Sequence, residues 1–459
     1  MSSTYGQQCA SQNRQKLLRN LQAAGSSGVV YLRGMETTER KWTDAEMPFR
    51  QESNFFYLTG ATEADCHFIL DIGTSEAHLF TPKYGEDYAL WCGNPPTVAD
   101  VKAKYGVDHA GTAEDILRVL EKLNPEKIHV LEQEQNLSAL GDWKGKANKG
   151  SLKKAIIDAR VIKSEAEIAL MRKAAKISGD AHIALMKAVR PGKDTERQLH
   201  ALFEYECFRN GGRFQAYTPI VASGRNGSVL HYVNNTDPVT AEKRDMLLVD
   251  AACEYECYAA DITRTYPVGG KFEGDWKTTY EICLEMQKAV LRAIKAGVEW
   301  EDMHRLANKV AAEGLLKAGI AKGTLEDLLG NHIPNIFFPH GLGHLIGLDV
   351  HDVGGYPEGV SRIPEPGLRY LRMRRKLEAG MVVTVEPGIY FVDPILDAAL
   401  ANPTQRQFLN VEVLERFRRN VGGVRIEDDV VVTEDGIENL TGWVPKEIED
   451  IEAVMAGAK

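Results

Sequence analysis

The sequence has no long apolar run, no basic excess and few cysteines. Among its 459 residues, no apolar stretch approaches the roughly 20 residues of a membrane-spanning helix. Residues 1–8 also have no charged-then-apolar pattern typical of a secretory signal. The formal net charge is -10, and an acidic chain repels nucleic-acid phosphates. The seven cysteines are odd in number and scattered, which argues against a disulfide framework. We therefore expect a cytoplasmic protein that binds neither membranes nor nucleic acid.

The bulk composition is that of a globular protein with more than one domain. Hydrophobic residues make up 44% and charged residues 26% of the chain, and the length suggests two or three domains. In the first third, strand-like pieces at 29–32, 68–70, 78–80 and 128–131 alternate with helical patterns near 14–23 and 116–123. This alternation predicts an α/β domain over residues 1–155.

The chain changes character near residue 155. Residues 141–153 are rich in Lys, Gly and Ser, and Ser164 with Glu167 then forms a capping-box pattern before a helical stretch. Farther on, 278–296 and 303–317 are helical in pattern, whereas 246–249 and 381–385 resemble buried strands. We therefore expect a second domain over residues 156–459.

Two acidic residues of the second domain lie at the ends of strand-like segments. Asp250 follows the apolar residues 247–249, and a buried carboxylate is costly unless it is paired or binds a metal. Asp261 comes eleven residues later, an interval that suits a hairpin. Since paired strands bring side chains to one face, both carboxylates can lie together.

Three further segments supply residues of the same chemical kind. His340, His344 and His351 lie within twelve residues, among glycines that allow close backbone approach. Glu386 follows an apolar strand, and Glu427 precedes another. A lone acid at a strand end is more often a turn or cap residue, and a lone histidine is usually structural. The occurrence of all these residues in one order is what indicates a metal site.

The five segments in this order resemble the pita-bread peptidases, in the branch of aminopeptidase P and prolidase. Residues 49–60, FRQESNFFYLTG, are similar to the N-terminal domain of that branch. The resemblance implies an α/β N-terminal domain followed by an α+β pita-bread (creatinase/aminopeptidase-like) catalytic domain. It also implies a metallopeptidase that hydrolyses the Xaa-Pro bond at the N-terminus of short proline-containing peptides, and a homodimer.

The same resemblance implies two divalent metal ions per subunit, with manganese as the expected metal. The ligands that it implies are Asp250, Asp261, His344, Glu386 and Glu427, of which Asp261 and Glu427 bridge the ions. Four carboxylates carry about -4, which balances two divalent cations. The expected mechanism is attack by a metal-bridging hydroxide, with Glu386 as the first candidate for the group that accepts and passes on the proton.

The resemblance assigns further residues to the substrate side of the site: His231, His340 and His351 as catalytic histidines, and Tyr217 and Arg372 as substrate-binding residues. Arg425 precedes Glu427 by two residues, so both can face the same side of a strand, where Arg425 either contacts the substrate or orients the carboxylates. Two of the assignments from the resemblance also have an alternative. His340 can instead support the glycine-rich loop. Arg372 either holds the free carboxylate of a dipeptide or belongs to a solvated basic stretch that continues through residue 376.

Several other functions remain open at this point. We favour an aminopeptidase that also cleaves Xaa-Pro dipeptides, and the first alternative is a strict Xaa-Pro dipeptidase. More distant alternatives are a metal-free creatinase-like enzyme, a noncatalytic binding relative and a methionine aminopeptidase. Cys253 and Cys257 do not complete a zinc site, because no second thiol pair accompanies them.

Overall fold

The computed structural model of the protein describes residues 4–132, 136–242 and 245–457. It divides into two compact units, residues 1–166 and 167–459. Within the described residues, the regular elements of the first unit are α1 (Thr4–Ala23), β1 (Val29–Arg33), α2 (Ser53–Thr59), β2 (His67–Asp71), β3 (Ala77–Thr81), α3 (Tyr88–Cys92), α4 (Val98–Tyr105), β4 (His109–Thr112), α5 (Ile116–Leu123), β5 (Ile128–His129), β6 (Ala147–Asn148) and α6 (Leu152–Val161).

The strands of the first unit form one mixed sheet in the order β4-β3-β2-β1-β5-β6. The pairs β1–β2 and β2–β3 are antiparallel, whereas β3–β4, β1–β5 and β5–β6 are parallel. Alternate strand residues such as Tyr31 and Phe80 point to one face, where they pack against Ile116 and Leu120 of α5. The predicted α/β character is therefore present, but the strand expected at 128–131 is only two residues long.

The first unit ends later than residue 155, where the sequence pattern suggested a boundary. Helix α6 begins at Leu152 and packs against α1. One link between them is the Asn20 side-chain amide, which donates to the Ala155 carbonyl over 3.0 Å. The helix after it, α7 (Glu165–Ala188), confirms the helix predicted from the Ser164 pattern, and Glu167 accepts a hydrogen bond from the Tyr258 hydroxyl.

Among its described residues, the second unit contains four small sheets together with several helices. After α7, its described elements are α8 (Glu196–Arg209), β7 (Phe214–Gln215), β8 (Ile220–Ser223), β9 (Met246–Asp250), β10 (Cys253–Tyr255), β11 (Tyr258–Ala259), β12 (Thr263–Pro267), α9 (Gly274–Ala293), α10 (Trp300–Lys317), α11 (Leu325–Gly330), α12 (Pro334–Phe337), β13 (Val382–Val385), β14 (Gly388–Tyr390), α13 (Asp393–Ala401), α14 (Pro403–Arg406), α15 (Val411–Asn420), β15 (Gly423–Arg425), β16 (Asp428–Val432), β17 (Ile437–Asn439) and α16 (Ile448–Ala456).

The hairpin expected between Asp250 and Asp261 is present. Strands β10 and β11 are joined by Glu256 and Cys257, both with positive φ (48° and 61°), as a tight two-residue hairpin turn requires. Outside this hairpin, β9 pairs antiparallel with β12, and Asp250 lies opposite Thr263. The chain therefore returns past Asp250 immediately after Asp261.

A second antiparallel arrangement positions the two glutamates. Strands β13 and β16 pair with Val385 opposite Asp428, and β14 and β15 pair with Gly388 opposite Arg425. Glu386 lies between β13 and β14, and Glu427 lies between β15 and β16. Each glutamate therefore occupies the point where the chain passes from one paired ladder to the next.

Other features of the chain agree with its composition. Within the described residues, no disulfide bond joins any of the cysteines. No helix within residues 4–132, 136–242 and 245–457 combines the length and the apolar character that crossing a membrane requires.

Candidate metal centre

The five side chains expected to bind metal converge in the second unit. All of them are buried, with at most 9% of each residue exposed. Nε2 of His344 lies 3.4 Å from Oδ2 of Asp261 and 3.4 Å from Oε1 of Glu386. Asp261, His344 and Glu427 each present one ligand atom within 4.8 Å of the others. One neutral nitrogen donor among carboxylate oxygens is a donor set suited to hard or borderline divalent ions.

The His344 ring is oriented by its own backbone. Its Nδ1 donates to the Leu345 carbonyl over 3.0 Å, so the Nε2 lone pair points towards the carboxylates. The preceding Gly343 is required here, because a Cβ atom on it would lie 2.0 Å from the carbonyl oxygen of Thr384. In return, the Thr384 N–H donates to the His344 carbonyl over 2.9 Å. The loop is thereby held against β13, beside Glu386.

The carboxylates repel one another in the absence of a cation. Burial, together with the neighbouring carboxylates, raises the pKa of Asp261 and raises that of Glu427 well above its usual range. Burial likewise raises the pKa of Glu386 to about 7. For His344, burial acts to lower the pKa, but Asp261 and Glu386 outweigh it and raise the value. A cation placed among these carboxylates would offset their mutual repulsion and stabilise their charged forms.

Arg425 is hydrogen-bonded to one of the expected metal ligands and to a neighbouring tyrosine. It donates from Nη2 to Oδ2 of Asp250 over 2.5 Å and from Nη1 to the Tyr390 hydroxyl over 2.7 Å. The Tyr390 hydroxyl lies 3.0 Å from Nε2 of His340, whose Nδ1 donates to the Gly341 carbonyl over 2.8 Å. Because Nδ1 is the donor, Nε2 accepts from Tyr390. The other carboxylate oxygen of Asp250, Oδ1, is buried and has no hydrogen-bond partner among the described residues.

The acidic run 427–429 separates into three environments. Glu427 accepts a hydrogen bond from the Thr263 hydroxyl over 2.7 Å and lines the cavity. Asp428 instead pairs with the buried Arg264 over 2.7 Å. Asp429 accepts the backbone N–H of Asp261 over 2.9 Å. Of the three, Glu427 alone lines the cavity with the other expected ligands.

A cavity of about 990 Å³ opens onto this cluster. Every residue expected at the site from the sequence lines it: Tyr217, His231, Asp250, Asp261, His340, His344, His351, Arg372, Glu386, Arg425 and Glu427. The wall also has an apolar part that the sequence pattern did not predict, formed by Ile220, Leu230, Val233, Val350 and Ile395. These side chains provide a surface for an apolar substrate group beside the charged cluster.

Four residues around the cluster of carboxylates are held in their uncharged forms. Burial, reinforced by nearby positive charge, lowers the pKa of both His340 and His351 to about 3. Burial and the charges of Arg372 and Arg425 also lower the pKa of His231. These histidines are therefore neutral near pH 7, when each ring has one N–H donor and one acceptor nitrogen. For the fully buried Tyr217, burial and the neighbouring carboxylates raise the pKa well above its usual range.

The basic stretch around Arg372 has two different faces. Arg374 pairs with Glu301 over 3.2 Å, and Arg375 pairs with Glu378 over 3.2 Å. Lys376 lies 3.8 Å from Glu299. Arg372 instead lines the cavity, where its charge offsets part of the rise in the pKa of Glu386 and helps to lower the pKa of His351. Arg372 therefore lies on the substrate side of this stretch.

Comparison with protein families matches each part of the chain. Residues 169–434 match the model of metallopeptidase family M24, and residues 10–131 match that of the aminopeptidase P N-terminal domain. The first match covers more than half of the chain and contains all the cavity residues expected from the sequence.

Individual proteins resemble the chain over nearly its whole length. The Xaa-Pro dipeptidase of Homo sapiens is 45% identical over 97% of this chain and 92% of its own. A probable Xaa-Pro aminopeptidase of Verticillium alfalfae is 42% identical over 95% of this chain and 94% of its own. The solved structure of aminopeptidase PepP from Pseudomonas aeruginosa has a TM-score of 0.82 and 34% identity, and the match covers 98% of both chains.

Proposed function

Since the chain belongs to metallopeptidase family M24, with an aminopeptidase P N-terminal domain and the pita-bread fold, we propose that it hydrolyses the Xaa-Pro bond at the N-terminus of short peptides. It acts as an Xaa-Pro aminopeptidase that also accepts Xaa-Pro dipeptides. The observation that carries this proposal is that the five expected metal ligands, the three histidines and Arg372 all line one cavity.

Asp250, Asp261, His344, Glu386 and Glu427 hold two divalent ions, with manganese as the preferred metal. The set fits such ions in two respects. Its four carboxylates balance their charge, and Oδ1 of Asp250 is a buried acceptor without a partner among the described residues. Oxygen-rich coordination with one imidazole suits manganese. When bound, the ions supply Lewis acidity, which polarises the substrate carbonyl and lowers the pKa of water.

Glu386 transfers the proton of the reaction, first as general base and then as general acid. It lies beside His344, faces the cavity and has its pKa raised to about 7 by burial when no cation is present. A carboxylate in this position accepts a proton from the attacking water and passes it to the leaving proline nitrogen. The proline nitrogen has no N–H and needs this proton to leave as an amine.

The neutral histidines divide into two roles. His231 and His351 line the cavity and donate hydrogen bonds to the substrate carbonyl or to groups beside the scissile bond. Both ring nitrogens of His340 are engaged, with Gly341 and Tyr390, so His340 acts by positioning Tyr390 and through it Arg425. Tyr217 lines the same cavity and contacts the substrate as a neutral phenol, because burial and the neighbouring carboxylates raise its pKa.

Arg372 sets how a short substrate is held. Its guanidinium faces the cavity, and a guanidinium fork matches the geometry of a free carboxylate. A dipeptide presents its carboxylate on the proline itself, so Arg372 favours Xaa-Pro dipeptides. This observation supports the second candidate, a strict Xaa-Pro dipeptidase, as does the similarity to the human Xaa-Pro dipeptidase.

Substrate length separates the two candidates. The metal-free chain is loaded with Mn²⁺, and turnover of an Xaa-Pro dipeptide is compared with turnover of the matching Xaa-Pro-Xaa tripeptide. Hydrolysis of both supports the aminopeptidase, whereas no tripeptide turnover supports the strict dipeptidase. Activity that survives complete chelation would contradict a metallopeptidase mechanism altogether. His344→Ala, compared with His332→Ala outside the cavity, tests the metal ligand, because only the first is expected to lose bound Mn²⁺.

A further inference from the structure

A second group of metal-ligating side chains lies in the first unit, at the edge of its sheet. Glu76 immediately precedes β3, His78 lies on β3, and His109 begins the edge strand β4. His78 and His109 lie directly opposite each other in the parallel β3–β4 register. Because Glu76 is two residues from His78, all three side chains point to the same face of the sheet.

The three side chains are close enough to share one ion. Each presents a ligand atom within 4.8 Å of the others. The two imidazole rings stack with centroids 4.5 Å apart and planes 21° from parallel. Nε2 of His109 lies 3.6 Å from Oε2 of Glu76.

His78 provides an independent sign of a missing ligand. Only 6% of the residue is exposed, and its Nε2 is buried without a hydrogen-bond partner among the described residues. A buried polar nitrogen without a partner is costly, and a bound cation removes that cost.

The charge around the group favours a cation. Like Glu76, the carboxylates of Asp71 and Asp108 lie close enough to His78 for their negative charges to favour a positive charge there. Both are already oriented by backbone N–H donors, Asp71 by Gly73 over 2.7 Å and Asp108 by Ala77 over 2.8 Å. They therefore act as fixed negative charges around the site rather than as further ligands.

We propose that Glu76, His78 and His109 bind a single divalent transition-metal ion, of which Zn²⁺ is the best match, at the edge of the first unit's sheet. Two imidazoles and one carboxylate form a zinc donor set, with water as the fourth ligand. The ion joins β4 to β3 and to the turn before β3. It is independent of the acidic cluster, all of whose residues belong to the second unit.

Zinc content tests the site directly. The full-length chain is stripped with a chelator and equilibrated with Zn²⁺ alone, and bound zinc per chain is measured by atomic emission. His109→Gln is expected to bind one ion fewer than wild type, because His109 contributes one of only three protein ligands. Its side chain is 47% exposed, so the substitution is tolerated by the fold. Glu76→Gln is expected to give the same loss.

The matched control is Glu114→Gln, which removes an equal charge from an exposed residue just beyond β4 and is expected to bind as much zinc as wild type. Equal zinc content in wild type and His109→Gln overturns the proposal. A second measurement follows carbethoxylation of His109 by mass spectrometry. Zn²⁺ is expected to slow this reaction in wild type and not in Glu76→Gln. Absence of protection in wild type also overturns the site.

Discussion

Arg425 and Asp250 are joined by a buried hydrogen bond of 2.5 Å, from Nη2 to Oδ2. The same guanidinium donates from Nε to the Thr263 hydroxyl over 3.2 Å, and that hydroxyl donates to Glu427 over 2.7 Å. The Arg425 guanidinium therefore orients Asp250 directly and Glu427 through Thr263. This rigid support is what a planar guanidinium provides and an ammonium does not.

Replacement of Arg425 by lysine tests this support. The lysine ammonium keeps the charge but cannot reach Asp250, Tyr390 and Thr263 in one plane. We expect kcat/KM to fall by about 10–100-fold and Mn²⁺ binding to weaken within the same range. Steady-state kinetics over an Mn²⁺ titration measure both effects. Arg374→Lys serves as the control, because Arg374 pairs with Glu301 and does not line the cavity. Unchanged metal binding and activity in Arg425→Lys would contradict the proposal that Arg425 orients the ligands.

Arg372 is expected to discriminate between substrates by length. Replacement by methionine keeps an unbranched side chain and removes the charge. A lost charged hydrogen bond is worth about 1.5–3 kcal/mol, so kcat/KM for an Xaa-Pro dipeptide is expected to fall by about 10–100-fold. A tripeptide presents its carboxylate farther along the chain and is expected to lose less.

The control for this substitution is Arg375→Met, since Arg375 pairs with Glu378 and does not line the cavity. It is expected to leave both substrates unaffected. Equal losses for dipeptide and tripeptide in Arg372→Met would mean that Arg372 acts on the site as a whole and does not recognise the dipeptide carboxylate.

The neighbour of Glu427 has a structural role. Asp428 pairs with Arg264 over 2.7 Å, both side chains are fully buried, and Lys446 also contacts Asp428. Asp428→Asn leaves a buried guanidinium without its counter-charge, which costs about 3–5 kcal/mol in unfolding free energy. Denaturant unfolding of the metal-free chain measures the loss. Glu438→Gln, at a surface pair with Arg172, is expected to cost about 1 kcal/mol or less. A similar small change for Asp428→Asn would contradict the prediction.

The strand-end acids were predictable because their signal is local. Asp250 follows three apolar residues, and the eleven-residue return to Asp261 fits the hairpin that the structure contains. Helices α9 and α10 were likewise evident from their helical pattern, and strands β9 and β13 from their continuous apolar runs. In each case, neighbouring residues alone determine the pattern, so no knowledge of the remaining fold was needed.

The contacts that join the residues behind the ligands to one another were not predictable in this way. Tyr390 joins Arg425 to His340, yet the three residues are separated by long stretches of chain and meet only after β14 pairs with β15. The packing of α6 on α1 in the first unit depends in the same way on a distant contact. The apolar cavity wall has no periodic signal, because its residues come from separate loops and elements.

The buried His182 predicts how stability depends on pH. Burial lowers its pKa to about 4, and its Nε2–H donates to the Ala251 carbonyl over 2.9 Å. In the unfolded chain the histidine pKa is about 6.5, so between these values the unfolded state binds a proton that the folded state does not. The contribution of His182 is therefore complete above about pH 6.5 and decreases as the pH falls towards 4. From pH 7 to 5 this loss amounts to about 2 kcal/mol.

His182→Gln isolates this effect, because the glutamine amide can still donate to Ala251 but does not titrate. Unfolding free energies of the metal-free wild type and variant are measured between pH 5 and 7. The variant is expected to be less stable at pH 7, because it loses the edge-on ring contact with Phe203. Its stability is expected to decrease less steeply on acidification than that of wild type. The comparison of slopes cancels the contributions of other titrating groups, so parallel pH profiles would show that His182 is not the group responsible.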